Sequence, residues 1–293
     1  MNDGKDVLVD AALAGERLDR AAALLWPTVG LRGRRRLIEA GRVLVDGRPR
    51  EAAYRVRAGE KLAALAAPAA TNFFSPEDVP ILFRGEAYAA VSKPAGLHSA
   101  AIAHGGGESL EALLPRLFPD AGAVLLSRLD RLTSGIVPVA LAPGAAARYR
   151  RGEDAGRVEK TYLCVVHGRV DAPFVADFRL DATDRVKTRV LSRPDPDLLR
   201  RTSVTPLEDV EELSLVACRI AKGARHQIRA HLAAAGHPLV GDPLYGHGEA
   251  GGLYLHCQKL VCPDFEADDA PPWTAADALA VVQGAKTKGA QES

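Results

Sequence analysis

The chain has 293 residues, 47% of them hydrophobic and 26% charged, with a formal net charge of +1. That is the composition of a globular protein, and no apolar run reaches the roughly eighteen residues a membrane span needs. The opening Met-Asn-Asp-Gly-Lys-Asp lacks the basic and apolar parts of a secretory signal, and four cysteines without paired zinc-site spacing read as reduced thiols, so a cytoplasmic protein is expected.

The near-zero total hides a polarised distribution. Between Arg17 and Arg57 there are eleven arginines, no lysine and four acids, a local excess of +7. Acids gather instead at Asp264, Glu266, Asp268, Asp269 and Asp277. Segregation of this kind makes a basic face despite a neutral whole. Leu18, Ala22 and Leu25 at helical spacing predict a first helix over 16–25, stopped by Pro27. A second runs over 32–40 with Leu37 and Ile38 inward and Gly41 in the capping place. It carries Arg32, Arg34, Arg35 and Arg36, and a solvated helix surface would by itself explain them. Val43–Val45 then reads as a strand, Asp46-Gly47 as a hairpin turn and 54–56 as the return strand, with Arg42 and Arg48 beside the turn.

An alanine- and proline-rich stretch without periodicity follows, giving a small basic module over 1–66 and a linker over 67–79. A larger domain spans 80–283 and opens with short apolar strands at 81–83 and 88–91. Lys93 sits in a turn set by Pro94 and Gly96. The three glycines at 105–107 lack a following Gly-Lys-Ser/Thr and read as a flexible loop, not a phosphate cradle. Residues 109–117 form a short amphipathic helix.

At 126–141 a charge-dense loop runs into a β-branched strand of Ile136, Val137 and Val139, hinged at Thr133-Ser134-Gly135. Asp130 lies between Arg128 and Arg131, and flanking positive charge favours the charged form of a carboxylate. Taken alone, this segment fits a surface ion-pair loop as well as an active site. Pro138 cannot donate to a ladder and indicates a strand edge or bulge. Residues 148–156 look basic and irregular, and 159–166 form a strong strand in which Tyr162 has the character of half-buried packing. Arginines at 185–193 and 200–201 punctuate a hairpin region. His226 and His231 invite a metal reading, but five positions on a helix is a rotation of about 140°, and no H-E-x-x-H is present, so no metal is expected. Arg225 and Arg229, four apart, share a helix face. A polar tail over 284–293 is expected to be disordered.

Four stretches resemble one family. Arg128-Leu-Asp-Arg-Leu-Thr-Ser-Gly135 is similar to the R-L-D-x-x-T-S-G signature of the RluA-type pseudouridine synthases. Ser92-Lys-Pro-Ala-Gly-Leu97 is similar to that family's entry motif, and Lys160-Thr-Tyr-Leu-Cys-Val-Val166 to its second motif. Gly223-Ala-Arg-His-Gln-Ile-Arg-Ala-His-Leu232, continuing into Pro238-Leu-Val-Gly-Asp-Pro-Leu-Tyr245, is similar to its third. Ser127 stands where most members have His, and Ala224 where the third motif begins with Arg. Residues 15–65 resemble the small RNA-binding module named after the fourth small-subunit ribosomal protein. The resemblance implies an α+β catalytic domain on a curved, largely antiparallel mixed sheet, with a small N-terminal α/β RNA-binding module. It implies isomerisation of a uridine in RNA without cofactor or metal; the basic module points to structured RNA, large-subunit rRNA being expected, and the protein is expected to be a monomer. Asp130 maps onto the catalytic aspartate, Arg229 onto the arginine that faces it, and Tyr162 onto the tyrosine beside the target base, with Arg128 in support. RNA contacts fall to Arg32, Arg34, Arg35, Arg36, Arg42, Arg48, Lys93 and Arg225. A catalytically inactive RNA-binding protein of the same fold, and a synthase acting on tRNA, stay open as alternatives.

Overall fold

In the computed structural model the described residues are 6–26, 31–39, 43–64, 74–100, 109–184, 186–249 and 251–291. They form two compact units, one reaching through Ala64 and the other starting at Phe74.

The smaller unit comprises β1 (Asp6–Leu8), α1 (Leu18–Ala21), α2 (Leu31–Glu39), β2 (Val43–Val45), β3 (Arg48–Pro49) and β4 (Lys61–Ala64). Its antiparallel sheet has the order β1-β4-β2-β3. The first helix is shorter than its spacing predicts, because residues 22–24 tighten into a 3₁₀ turn. Asp46 and Gly47 both have positive φ, 48° and 73°, the twist that closes a two-residue hairpin. So tight a turn sets Arg48 directly opposite Val45, and the return strand is β3, not 54–56 as expected. The 54–56 segment instead braces α1: Leu18 N donates to the Tyr54 carbonyl and Val56 N to the Glu16 carbonyl. Leu18, Ile38, Val43, Val45, Val56 and Leu62 close the core. Gly41 and Arg42 lie outside the described residues.

The larger unit starts earlier than Pro80, since Phe74 is already buried in its core; the rest of the expected linker, 67–73, lies outside the described residues. Its elements are β5 (Ile81–Arg84), β6 (Tyr88–Lys93), α3 (Leu110–Leu117), β7 (Val124–Leu125), β8 (Ser134–Ala140), α4 (Ala145–Asp154) and β9 (Glu159–His167). There follow β10 (Phe174–Ala176), β11 (Phe178–Asp181), β12 (Arg189–Pro194), β13 (Thr202–Val210), β14 (Leu213–Ile220) and α5 (Gln227–Ala234). The last are β15 (Leu255–Cys262), β16 (Phe265–Asp268) and α6 (Ala275–Gln291). The main sheet runs β10-β13-β14-β9-β15-β8-β6-β5, with β16 on β15 and β7 on β8, and β11 pairs separately with β12. β8 and β15 are parallel, and the other pairs are antiparallel. The mixed, largely antiparallel sheet therefore matches the expected class.

Gly135 has a φ of 110°, and a β-carbon there would lie 2.4 Å from the Cys257 carbonyl oxygen. Only glycine lets the start of β8 approach β15. Pro138 sits inside a fully buried strand, away from any outer edge of the sheet. Leu141 N donates to the Ala87 carbonyl, so by antiparallel alternation Val139 and Val137 turn their N–H groups to β6, and Pro138 turns away. On that far side Leu126 N donates to the Pro138 carbonyl at 2.9 Å, and the returning N–H bond is the one proline cannot supply, so the short β7 pairing ends there.

Two helices were not legible in the sequence. Residues 145–154 are helical rather than irregular, because Ala145, Tyr149 and Gly152 share the buried face of α4 while its arginines point outward. The tail expected to be disordered from residue 284 is part of α6, which runs to Gln291. Ala275, Ala278 and Val282 at helical spacing anchor it beside Tyr254 and Val240.

Candidate active site

Sequence places a charged loop against the rigid start of β8, and a web of short bonds fixes it. Ser99, buried, accepts from Leu129 N at 3.0 Å and donates to the Leu129 carbonyl at 2.7 Å. Gly96 N donates to the Arg131 carbonyl at 2.7 Å, and Arg131 Nε returns a bond to the Gly96 carbonyl. Lys93 is not on the surface, where an RNA contact was expected of it. Its side chain is wholly buried, and Nζ donates to the carbonyls of Pro94, Leu97 and Arg131. Its task is to hold the turn that holds the Asp130 loop. Burial pushes its pKa down to about 7, against the pull of Asp130.

A pH effect on stability follows from that shift. Between about pH 7 and the ordinary lysine value the unfolded chain holds a proton that the folded chain has released, so this group makes stability rise with pH. Its contribution is complete above the ordinary value and is lost as pH falls through about 7. Lys93→Met is expected to remove that rise and to cost on the order of 2 kcal/mol at pH 9, where the neutral amine still offers two N–H donors to the carbonyls around it. Denaturant titrations of both proteins at pH 7 and pH 9 check it.

Asp130 is a quarter exposed at its side chain and draws its partners from the far side of the sequence. Arg229 Nη1 donates to Oδ2 at 2.9 Å, and His226 Nε2 lies 3.6 Å from the same oxygen. Its chain neighbours are not its partners: Arg128 is exposed and Arg131 is turned to Gly96. Arg229 stands on the first turn of α5 with a nearly buried side chain. Its other edge is gripped by Asp242, through Nε to Oδ2 and Nη2 to Oδ1, both at 2.8 Å. Asp242 is fully buried and also accepts from Leu244 N and Tyr245 N. Burial works against both charges. For Arg229 the bonds to Asp242 and Asp130 outweigh it and raise the pKa; for Asp242 the guanidinium and the two amides outweigh it and lower the pKa. The Tyr245 ring lies under the guanidinium at 5.3 Å. One arginine is thus locked in orientation and turned toward Asp130.

Tyr162 is central in β9, opposite Cys257 on one side and Cys218 on the other, and 7% exposed. Burial raises its pKa well above the ordinary phenol value. It is therefore a neutral ring at neutral pH. Arg225 and Arg229 do not share a helix face, because α5 begins only at Gln227. Arg225 precedes it and reaches Thr188 and the carbonyls of Ala182 and Asp184, tying down the β11–β12 loop. His231 is buried between Thr202 Oγ1 and the Phe178 carbonyl, a packing role. Among the described residues no group of three His, Cys, Asp or Glu side chains is placed to hold a metal ion. Asp242 and Tyr245 were not singled out in advance, and His226 was weighed only as a metal ligand. The signal for the first two was in Gly241-Asp-Pro-Leu-Tyr245, where an acid and an aromatic three positions later bracket a proline turn.

In the smaller unit, Asp19 is wholly buried between Arg17 Nη2 at 3.0 Å and Arg35 Nε at 2.6 Å. Burial opposes the carboxylate, but the two guanidinium bonds prevail and its pKa is lowered. Arg35 is therefore partly structural. It also lines a groove of about 690 Å³ with Arg17, Ile38, Pro49 and Arg50. Arg48 and Arg50 are exposed and Arg34 half-buried. The side chains of Arg32 and Arg36 lie outside the described set.

The sequence pattern of the RNA pseudouridylate synthase family matches residues 87–234, and that of the S4 domain matches 33–62. "Ribosomal large subunit pseudouridine synthase D" of Xanthomonas campestris is 31% identical over 258 residues, covering 83% of this chain and 75% of its own length. An "Uncharacterized RNA pseudouridine synthase" of Chloroflexus aurantiacus is 34% identical over 274 residues, covering 87% and 84%. Among solved structures, "Human RNA Pseudouridylate Synthase Domain Containing 1" superposes with a TM-score of 0.59 at 26% identity, covering 69% of this chain and 87% of that one. The chain belongs to the RNA pseudouridylate synthase family, isomerases that turn a uridine of RNA into pseudouridine, and it carries an N-terminal S4 domain.

Proposed function

We propose that this enzyme modifies a uridine of large-subunit ribosomal RNA, with Asp130 as the catalytic carboxylate. The observation that carries the catalytic part is the Asp130–Arg229–Asp242 chain, in which a buried, doubly anchored arginine aims one N–H at a partly open carboxylate. The ribosomal target is supported by the names of the relatives. Isomerisation breaks the N1–C1′ bond, turns the freed uracil and joins C5 to C1′. A carboxylate serves as nucleophile or as electrostatic partner to the sugar or the ring. Tyr162 supplies a neutral stacking face, and the base leaves its stack at a cost of roughly a few kcal/mol. A monomeric, cytoplasmic enzyme is part of this reading; its four cysteines are free and buried, and among the described residues no helix is long and apolar enough to cross a membrane. Mapping pseudouridines in total RNA with and without the gene tests the target. A site lost from large-subunit rRNA is expected; a loss confined to tRNA would overturn the ribosomal assignment.

The S4 unit supplies phosphate contacts, which fix affinity and register without reading bases. Arg48 and Arg50 are its exposed cations beside the groove and hairpin. Arg48→Gln with Arg50→Gln is expected to weaken RNA binding and flatten the log K against log salt slope by roughly 0.7 per lost contact. Turnover at saturating RNA should hold. A binding series across salt concentrations reads this directly, and an unchanged slope would remove the role from this hairpin.

A further inference from the structure

Glu249 is a carboxylate that the chemistry above leaves without a task, although its side chain is only 7% exposed. It stands at the end of the loop that carries Asp242 and Tyr245. We propose that Glu249 is a positioning residue for the reaction: it closes the loop over 241–249, and so holds Asp242, and through it Arg229, in the orientation that serves Asp130. This rests on the pseudouridine synthase reading.

The loop starts and ends on the same strand. On its approach, His167 N donates to the Pro238 carbonyl and Val240 N to the Val165 carbonyl, both at 2.9 Å, so the chain runs along the end of β9. Glu249 brings the far end back to the same place. Its Oε2 accepts from Gly241 N at 2.9 Å, and its Oε1 lies 2.8 Å from His167 Nε2. His247, inside the loop, sets its ring edge-on against His167, centroids 4.5 Å apart. The enclosed chain is tightly wound. Gly241 has a φ of 75°, and a β-carbon there would overlap the Gly252 carbonyl oxygen. One at Gly246 would lie 2.6 Å from the Leu239 carbonyl oxygen, and Gly246 N donates to the Asp242 carbonyl at 3.1 Å.

Asp242 follows directly on the amide that Glu249 holds. Its oxygens accept from Arg229 Nε and Nη2 and from the amides of Leu244 and Tyr245. Every one of those partners except Arg229 belongs to the loop, and so does the Tyr245 ring under the guanidinium. The direction of Arg229 is therefore inherited from the way the loop is closed. A buried carboxylate persists where hydrogen bonds offset its lost hydration. Burial works against the Glu249 charge, but its own amide, that of Gly241 and the nearby His167 outweigh it and lower its pKa. Losing this closure lets the loop relax, and a misplacement on the order of 1 Å at the guanidinium is enough to slow the chemistry severely.

The test is single-turnover kinetics across RNA concentration, with the full-length enzyme and a transcript carrying the uridine that loss of the gene leaves unmodified. Glu249→Ala is expected to lower the rate at saturating RNA by ~10–10²-fold, with the half-saturating RNA concentration unchanged. Glu249→Gln keeps an oxygen that accepts from Gly241 N and should stay close to wild type. Because Glu249 acts through Asp242, adding Glu249→Ala to Asp242→Asn should slow that variant no further. Should the alanine variant not fold, Glu249→Asp, a methylene too short for the Gly241 amide, takes its place in each comparison. A shortened side chain that leaves the enzyme as fast as wild type overturns the proposal. So does a loss confined to RNA affinity, a glutamine variant as slow as the shortened one, or losses that multiply in the double variant. If the wild type forms no pseudouridine in any cellular RNA, the pseudouridine synthase reading itself fails, and this proposal with it.

Discussion

Asp130→Asn is expected to lower the single-turnover rate of pseudouridine formation by at least ~10⁴-fold, the scale seen when a group acting as a unit with its partners is removed. RNA affinity and thermal stability should stay where they are. The amide keeps the size of the carboxylate, and its oxygen still accepts from Arg229 Nη1. The guanidinium loses one of two carboxylates but keeps the bidentate grip of Asp242, so no buried charge is left alone. What goes is the negative charge that a nucleophile or electrostatic partner needs. Nucleoside analysis of transcripts incubated with each protein reads the result. Near wild-type turnover in the variant, with contaminating enzyme excluded, would reject Asp130 as the catalytic group.

Much of this site is local in sequence, and that part was legible. The Asp130 loop, the Tyr162 strand and the Arg229 helix each carry their pattern within a dozen residues, and the apolar periodicities that place them on a strand start, a strand middle and a helix hold in the structure. What was not legible depends on contacts across long stretches of chain. Lys93 reads as a turn lysine open to phosphate, and only the approach of residues 129–131 to 96–99 buries it under three carbonyls. By adjacency alone the partners of Asp130 are Arg128 and Arg131, two and one positions away, and Arg229, 99 positions on, was expected only through the family resemblance. Sequence adjacency in an extended loop sends neighbouring side chains to different sides, so it is a poor guide to ion pairing. His226 escaped for another reason. Its spacing from His231 was judged as though both lay on one helix, but its left-handed backbone ends the turn before the helix starts. The α6 tail was misjudged because its polar composition outweighed the Ala275, Ala278 and Val282 stripe that docks it.

Arg229→Met should damage both stability and activity, and the two losses separate. Asp242 is wholly buried, and with the guanidinium gone it keeps only the amides of Leu244 and Tyr245. Breaking a buried pair by removing one partner costs roughly 3–5 kcal/mol, because the other charge is stranded. In a unit of this size that is a fall in Tm on the order of 10 °C. The stranded carboxylate then has a folded pKa raised above its unfolded value. Its penalty is therefore smallest at low pH, where it is protonated in both states, and grows as pH rises through the unfolded carboxylate range toward the folded pKa. Adding Asp242→Leu removes the stranded charge, and the Arg229→Met/Asp242→Leu protein should recover most of the lost stability, since the two sites are coupled through one interaction. Activity should not return, because Asp130 still lacks the N–H that Nη1 supplied at 2.9 Å. Thermal melts at pH 5 and pH 7.5, paired with single-turnover assays on all three proteins, give the answer. A single variant as stable as wild type would show that Asp242 does not depend on Arg229, and a double variant with restored turnover would show that Asp130 does not.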